Sequence, residues 1–472
     1  MRAAYHPSLP SGASAPQYQR LCDAVVADIR SGALRAGERL PGTRSMASSL
    51  GWSRNTIARA YEELELQGWV QSRAGSGATV AAAASVEAPT PRPLRFRLPP
   101  DPSPEPSPPP DALLMQGGVP DLRQLPTAPL AAALRRVLTR RGEALLGYGD
   151  PAGLRSARES LARWLGETRG LALQADDLMI THGAQQAIYL AAAALIRPGA
   201  RIGVERYGYP PAHAALRDAG AELVPLPVDG DGLIVETLAD APPLAGVYVT
   251  PHHQFPTGAC MSAPRRQALL DWAADRGAFV LEDDYDHEFH YEGQPVRPLA
   301  AADTDGVVIY VGTLSKAFAP GVRLGWLCAG GVARSGVAAL RRTMDRQGDA
   351  VMEAAVAELL DSGEISAHIR RMARIYRRRR DLLLGALRGA LGDVLELHPP
   401  RGGLALWAGA PGQDVARWKQ RARDRGLLIT TAADYDLLGA NTPALRLGFA
   451  RLNEPEILEA TRRLALSRPE KG

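Results

Sequence analysis

The stretch VVIYVGTLSKAFAPGVRLGW, residues 307–326, decides the fold of the larger part of the chain and points to its chemistry. An apolar, strand-like run ends in two hydroxyls, Thr313 and Ser315, beside Lys316, and Arg323 follows. Only three of the 55 basic residues are lysines, so a lysine among small and apolar neighbours suggests a role that arginine cannot fill. A lysine amine forms a Schiff base with an aldehyde, and hydroxyls with a guanidinium suit a phosphate.

Two other motifs complete this chemistry. FVLEDDYDHEF (279–289) places carboxylates at the tip of a buried strand, where α/β folds bind ligands, although an acidic loop that caps a helix fits this motif equally well. MITHGAQQAIYLAAAAL (179–195) runs from a strand through a glycine into a helix, whose first amides form an anion site. Together the motifs supply a pyridinium partner, an aldehyde-capturing amine and a phosphate cradle, the parts needed to hold pyridoxal phosphate.

The order of patterns along the chain predicts several domains. Apolar runs such as LMIT, RIGVE and GVYVT alternate with Ala- and Leu-rich helical segments from residue 113 to 472, which indicates an α/β domain with a mostly parallel sheet. The helix-rich pattern after residue 345 predicts a smaller α+β lobe. Residues 83–112 are rich in proline and alanine and read as a linker. Residues 15–82 then form a separate N-terminal domain.

The N-terminal domain has the layout of a winged helix-turn-helix. YQRLCDAVVADIRS (18–31) predicts an amphipathic helix, and a short helix, a glycine turn and a second helix follow over SMASSLGWSRNTIARAYEELELQGWV. Ser53 is a suitable N-cap, and Arg54, Asn55 and Thr56 lie at the exposed end where side chains reach base edges. WVQSRAGSGATV predicts a β-hairpin wing. The alternative from spacing alone is a small three-helix packing module with incidental arginines.

The residues from LPGTRSMASSLGWSRNTIARAYEELELQGWV to GSGATV closely resemble the GntR family of winged-helix repressors over the whole module. The resemblance implies that this domain binds double-stranded DNA at promoter half-sites. The contacts it implies come from Arg44, Ser53, Arg54, Asn55, Thr56 and, at the wing, Gly75.

Residues 113–472 resemble the fold-type I aminotransferases, which are class I/II enzymes that bind pyridoxal phosphate, and the whole chain resembles the MocR subfamily of GntR regulators. The resemblance assigns the Schiff base to Lys316, the pyridinium partner to Asp283 and the substrate carboxylate to Arg446. It implies a head-to-tail homodimer that responds to pyridoxal phosphate, or to an amino compound that forms an external aldimine with it, and so controls vitamin B6 or amino-acid and amine metabolism. The other cofactor contacts that it implies are Tyr285, Tyr209, Ala184, Gln185, Thr313, Ser315, Arg323 and, across the dimer interface, Tyr148.

One position departs from the aminotransferase pattern. TPHHQFPTGA (250–259) has Phe255 where aminotransferases carry an asparagine that contacts the cofactor, and phenylalanine cannot donate that hydrogen bond. The MocR subfamily favours H-Q-F-P-T-G here, so the change suits a regulator better than a transaminase. An aminotransferase with residual half-reactions and a vestigial DNA-binding domain is the alternative. His253 or Gln254 would have to compensate in that case.

Composition bounds the remaining possibilities. The formal net charge of +4 permits DNA binding without requiring it, and the three dispersed cysteines predict neither a disulfide scaffold nor a zinc ribbon. We expect no metal site, no signal peptide and no membrane segment, and therefore a cytoplasmic protein. HIRRMARIYRRRRD (368–381) reads either as an exposed basic helix or as a second contact to the DNA backbone.

Overall fold

A computed structural model describes residues 5–9, 15–73, 77–82, 109, 111–293, 296–440 and 442–469. Gly75 at the expected wing tip and nearly all of the expected linker, residues 83–108 and 110, lie outside the described residues. The chain divides into two compact units, Met1–Glu105 and Pro106–Gly472. No helix of the described residues is long and apolar enough to cross a membrane.

The first unit is built from three helices and an antiparallel hairpin: α1 (Gln17–Arg30), α2 (Thr43–Leu50), α3 (Arg54–Leu66), β1 (Val70–Arg73) and β2 (Gly77–Val80). The inward faces of α1 and α3 are fully buried against each other through Leu21, Val25 and Ile57. Gly51 turns the chain between α2 and α3 in a left-handed conformation, with φ of 67°. The helix-turn-helix layout predicted from the sequence is therefore present.

The second unit alternates helices and strands around a large sheet. Its helices are α4 (Thr127–Leu146), α5 (Arg155–Arg169), α6 (Ala184–Leu195), α7 (Pro210–Asp218), α8 (Ala263–Arg276), α9 (Gly331–Met344), α10 (Ala350–Asp361), α11 (Glu364–Leu391), α12 (Val415–Asp424) and α13 (Glu454–Ser467). Its strands are β3 (Leu113–Leu114), β4 (Leu178–Thr181), β5 (Arg201–Glu205), β6 (Glu222–Leu226), β7 (Val228–Asp229), β8 (Gly232–Leu233), β9 (Gly246–Val249), β10 (Phe279–Asp284), β11 (Val308–Thr313), β12 (Gly325–Cys328), β13 (Glu396–Leu397), β14 (Ala405–Gly409), β15 (Leu427–Leu428), β16 (Thr430–Thr431) and β17 (Ala444–Gly448).

The large sheet has seven strands in the order β4-β12-β11-β10-β9-β5-β6. The pairs from β11 to β6 are parallel, and only β12 runs antiparallel to its two neighbours within this sheet. Central strands such as β9 and β11 are buried along their whole length, as expected for a parallel sheet covered on both faces. The carboxyl ends of the parallel strands meet at one edge, which is where ligands bind in open α/β sheets.

The smaller lobe is an antiparallel sheet, β13-β14-β17-β16, covered by α11, α12 and α13. It does not begin at residue 345 as the sequence pattern suggested. The apolar side chains of α10, among them Ala355, Val356 and Leu359, belong to the core of the large domain, where α10 packs against α4 and α5. The lobe instead takes in Met115 from the start of the domain.

The arginine-rich run lies on α11 and is not uniformly exposed. Arg379 is buried and pairs with the buried Asp121, whereas Arg380 is buried and pairs with the exposed Glu292, so these two arginines tie α11 to neighbouring segments. Arg377 and Arg378 are exposed on the same helix. The expectation of a wholly exposed basic helix is therefore wrong for its last two arginines, because each finds a carboxylate and a backbone carbonyl on neighbouring segments.

Candidate cofactor cavity and nucleic-acid interface

The carboxyl edge of the large sheet opens into a cavity of about 370 Å³, within the range of small-molecule sites. The loops after β4, β9, β10 and β11 form its walls, and β17 of the smaller lobe closes it. Nearly every cofactor residue expected from the sequence lines it. The lining consists of Gly117, Gly118, Val119, Ala184, Gln185, Tyr209, Pro210, Thr250, Phe255, Asp283, Tyr285, Thr313, Ser315, Lys316, Pro320, Arg323, Tyr435 and Arg446.

Lys316 follows β11 and projects into this cavity. Burial lowers the pKa of its amine below the usual lysine value, and the nearby Arg446 guanidinium lowers it further. A lower pKa leaves more of the amine neutral at physiological pH, and the neutral amine is the form that attacks an aldehyde.

Asp283 is placed by the alternation of β10. Its neighbours Glu282 and Asp284 face the opposite side of the sheet, whereas Asp283 lines the cavity. The Tyr248 hydroxyl on β9 donates to Asp283 Oδ2 at 2.8 Å, and Oδ1 is buried without a hydrogen-bond partner among the described residues. Burial raises the pKa of Asp283 to about 7, against the opposing effect of the Tyr248 hydrogen bond.

The opposite end of the cavity carries donors that suit a phosphate. Gly183, with φ of 80°, is the N-cap of α6, and Ala184 and Gln185 at the start of this helix line the cavity, where a helix N-terminus suits an anion. Thr313 Oγ1 lies 2.9 Å from Ser315 Oγ, which brings the two hydroxyls together. The Arg323 guanidinium donates to the His182 carbonyl at 2.6 Å and is held at this end. The side-chain amide of Gln185 is tied to Pro211 O.

Phe255 stands at the centre of an aromatic wall. Its ring makes edge contacts with Tyr209, Tyr285 and Tyr435 at centroid distances of 5.4, 5.9 and 5.2 Å. Burial raises the pKa of Tyr285 well above its usual value, so its phenol stays protonated and can donate a hydrogen bond. Tyr285 is thus a hydrogen-bond donor beside the phenylalanine.

Neither neighbour of Phe255 replaces the missing asparagine. His253 Nδ1 is 2.8 Å from Asp286 Oδ1, and Gln254 Nε2 donates to the carbonyls of Tyr207 and Phe255. Both side chains are buried, and neither lines the cavity. The compensation considered from the sequence is therefore not provided by these two residues.

Arg446 on β17 supplies a buried cation at the mouth of the cavity. Its guanidinium lies 4.6 Å from the Phe255 ring centroid, and it forms no ion pair within the described part of the chain. Its Nε is buried without a hydrogen-bond partner there. A Cβ at position 117 would collide with the guanidinium, so only glycine fits beside it. A carboxylate is the ligand that such a free guanidinium binds best.

Some lining residues were not predicted. Gly117, Gly118 and Val119 come from the segment just after the linker, and Tyr435 lies on a loop without a recognisable motif. Thr250 begins the segment TPHHQFPTGA, in which the sequence did not single it out. Tyr248 is a tyrosine inside an otherwise apolar strand and is paired in register with Leu281. Tyr248 therefore shares a face with Asp283, two residues from Leu281.

Tyr148 is the one expected cofactor residue that its own chain does not bring to the cavity. Its side chain is 83% exposed and lies against the Arg346 guanidinium, 4.3 Å from the ring centroid. An exposed tyrosine is what a contact to a second subunit requires, and this role stays a prediction.

The residues present fit pyridoxal phosphate. The cavity holds an amine, a buried carboxylate with one unpartnered oxygen and a set of phosphate donors at the opposite end. The orphaned Asp283 Oδ1 is the decisive observation, because a buried carboxylate oxygen without a partner is costly unless a ligand supplies one.

The N-terminal unit presents its own candidate site at the start of α3. Ser53 Oγ accepts the Thr56 amide at 3.1 Å, the N-cap predicted from the sequence. Arg44 and Arg54 are exposed and form no ion pair within the described residues, and Asn55 is exposed beside them. The three glutamates of α3 follow only after Tyr61, so the start of the helix is basic and suits contact with DNA. Arg59 instead stacks on Tyr18, 4.0 Å from its ring centroid.

Comparison with known families agrees with this division. Residues 17–80 match the family described as bacterial regulatory proteins, gntR family, whose members bind DNA. Residues 113–464 match the aminotransferase class I and II family. A crystal structure of kynurenine aminotransferase from Pyrococcus horikoshii in complex with PMP is similar, with a TM-score of 0.71 and 29% identity over 76% of this chain and 90% of that one.

Relatives named as regulatory proteins are similar to most of the chain. The probable rhizopine catabolism regulatory protein MocR of Rhizobium meliloti is 30% identical over 86% of this chain and 87% of that protein. The pyridoxine biosynthesis transcriptional regulator PdxR of Corynebacterium glutamicum is 31% identical over 86% of each chain. The fold class predicted from the sequence is therefore confirmed, and the chain belongs to the MocR-type transcriptional regulators, in which a GntR winged helix-turn-helix precedes an aminotransferase-like domain.

Proposed function

We propose that this regulator binds pyridoxal 5'-phosphate in the cavity of its second unit and adjusts its binding to promoter DNA in response. One observation carries the proposal: Lys316, Asp283 and Arg446 line a single cavity, which combines an amine, an orphaned carboxylate and an unpaired guanidinium. When bound, the cofactor supplies an aldehyde that condenses with amines and a ring that withdraws electrons.

Each residue has a distinct task in this proposal. Lys316 would provide the amine that holds the cofactor, and Asp283 would pair with its pyridine nitrogen. Ala184, Gln185, Thr313, Ser315 and Arg323 bind the phosphate. The aromatic wall around Phe255 would exclude water from the bound ring, Tyr209 would contact that ring and Tyr285 would donate a hydrogen bond to it.

The effector is the cofactor itself or an amino compound with a carboxylate. Arg446 has no internal counter-ion among the described residues, which favours a ligand that brings its own carboxylate. A Cβ added at Gly117, a few residues after the linker, would collide with the guanidinium of Arg446, so the two groups lie close together. We infer that a ligand on Arg446 would affect the segment that continues from the linker.

A head-to-tail homodimer in the cytoplasm completes the proposal. Tyr148 would reach the phosphate of the second subunit, and paired N-terminal domains would read paired half-sites through Arg44, Ser53, Arg54, Asn55 and Thr56. The genes controlled belong to vitamin B6 or amino-acid and amine metabolism. This part rests on the MocR and PdxR relatives, one of which is named for pyridoxine biosynthesis.

Footprinting of the promoter next to the gene tests the proposal. Purified full-length protein is titrated onto the DNA with no ligand, with pyridoxal phosphate, and with the cofactor plus candidate amino acids. We expect a protected region of two half-sites whose occupancy changes with the cofactor. The same protection in all three conditions would contradict cofactor sensing while leaving DNA binding intact.

A second candidate is an active aminotransferase, which the presence of Lys316, Asp283 and Arg446 favours and Phe255 opposes. Steady-state assays with pairs of amino and keto acids separate the two functions. Turnover of order ten per second, typical of enzymes, without sequence-specific DNA binding would reverse the assignment.

A further inference from the structure

A second cluster of polar side chains lies on the face of the sheet opposite the cavity. We propose that it binds one divalent transition-metal ion through His252, Asp284 and His287. Asp284 follows Asp283 on β10 and therefore points away from the cavity. The residues come from the two segments 250–257 and 283–290, which also carry Thr250, Phe255 and Tyr285 of the cavity wall.

The three side chains are close enough to share an ion. One potential ligand atom from each lies within 4.8 Å of the other two. The rings of His252 and His287 are stacked with centroids 4.2 Å apart, and His287 Nδ1 lies 2.9 Å from Asp284 Oδ2. All three residues are at least 95% buried. Zinc-type ions bind such atoms at about 2.0–2.2 Å, so the side chains would turn toward a shared ion on binding.

The polar atoms of this cluster lack partners, which is a separate indication of a ligand. Both ring nitrogens of His252, although the residue is only 1% exposed, have no hydrogen-bond partner among the described residues. Asp284 Oδ1 is orphaned there too. Buried imidazole and carboxylate atoms normally find a partner, and a metal ion would satisfy several of these at once.

The local charge also favours a cation. Asp284, Asp286 and Glu288 are acidic and buried or half-buried, whereas Arg169 is the one arginine of the described residues that pairs with any of them. Three carboxylates against one guanidinium leave this group with an excess of negative charge, which a divalent ion balances.

Surrounding groups would orient the ligands. The Tyr310 hydroxyl donates to Asp284 Oδ2 at 2.7 Å from the neighbouring strand. A second group, His252, His253 and His290, shares His252 and has unpartnered atoms at His253 Nε2 and His290 Nδ1. Two imidazoles with one carboxylate suit zinc, cobalt or iron(II) rather than magnesium or calcium, which prefer oxygen ligands. The expectation of no metal site rests on the dispersed cysteines, whereas this cluster consists of histidines and a carboxylate from two separate segments.

Cobalt(II) provides the direct test, because its visible d–d absorption reports its ligands. Full-length protein without a histidine tag is titrated with Co²⁺, and zinc content is measured by elemental analysis after competition with a chromophoric chelator. We expect one ion per protomer in the wild type and binding at least about tenfold weaker in His252→Asn and in His287→Gln. His368→Gln removes a buried histidine outside the cluster and serves as the matched control.

The wild-type spectrum decides the question even if a variant fails to fold. Absence of Co²⁺ d–d bands in the wild type, or equal Co²⁺ affinity in folded His252→Asn and the wild type, would overturn the proposal. A rise in Tm with Zn²⁺ in the wild type and in His368→Gln, but not in His287→Gln, would support it independently of any cofactor response.

Discussion

Substitution of Tyr248 by phenylalanine tests how the cavity keeps Asp283 ionised. The Tyr248 hydroxyl is the one hydrogen-bond donor to the Asp283 carboxylate within the described residues, at 2.8 Å and fully buried. Burial already raises the pKa of Asp283 to about 7, and the hydrogen bond opposes that rise. Its removal raises the pKa of Asp283 further, so that less carboxylate is available to pair with a pyridinium.

The size of the effect follows from the kind of bond that is lost. A hydrogen bond to a charged group contributes about 1.5–3 kcal/mol, which corresponds to roughly a tenfold to 150-fold weaker affinity for pyridoxal phosphate. Phenylalanine fills the same space, so packing around β9 is retained. The fold should therefore survive the substitution.

The assay is a titration of apoprotein with pyridoxal phosphate followed by absorbance. Tyr310→Phe is the matched control, because Tyr310 donates to Asp284 at 2.7 Å on the other face of the sheet. We expect Tyr248→Phe to weaken cofactor binding and Tyr310→Phe to leave it near the wild-type value. Equal losses in the two variants, or no loss in Tyr248→Phe, would refute this account of Asp283.

Four further predictions follow from single contacts. Lys316→Ala should abolish both the Schiff-base absorbance band of the bound cofactor and its covalent attachment after reduction with sodium borohydride. A band that persists in this variant would refute the Schiff-base assignment. Gly117→Ala should displace Arg446 and weaken the response to carboxylate-bearing effectors, whereas Gly147→Ala, where a Cβ meets open space, should not. Arg54→Ala should cost about 1–3 kcal/mol of specific DNA binding and relax the sequence preference at one base pair. Arg44→Ala should instead reduce the slope of log affinity against log salt concentration by about 1, and fluorescence anisotropy measures both effects. Burial raises the pKa of Glu282 to about 7 in the folded protein, so between about pH 4.5 and 7 the folded protein keeps a proton that the unfolded chain has lost. The free energy of unfolding therefore falls as the pH rises through this range. Glu282→Gln should reduce that slope by at most about 1.4 kcal/mol per pH unit, as measured by denaturant titrations.

The sequence was most informative where a residue type is itself unusual. Lys316 stood out in an arginine-rich chain, the carboxylates around Asp283 follow an apolar strand-like run, and the role of Arg446 came from the resemblance to the fold-type I aminotransferases. The helix-turn-helix was equally accessible, because its core residues and its N-cap lie within one contiguous segment. Local patterns suffice for features of this kind.

Features that depend on packing between distant segments were not accessible. Gly117 became important only when β17 placed Arg446 against it, and nothing in the local sequence signals that approach. α10 was assigned to the smaller lobe because its apolar pattern does not reveal which core it joins. The cluster of His252, Asp284 and His287 likewise requires two loops to meet beneath the sheet.

The central claim is that cofactor held by Lys316 alters DNA binding. Its most direct test measures the affinity of the wild type and of Lys316→Ala for the adjacent promoter by fluorescence anisotropy, with and without pyridoxal phosphate. We predict that the cofactor changes the affinity of the wild type and leaves that of Lys316→Ala unchanged. An identical cofactor effect in both proteins, or none in the wild type, would contradict the claim.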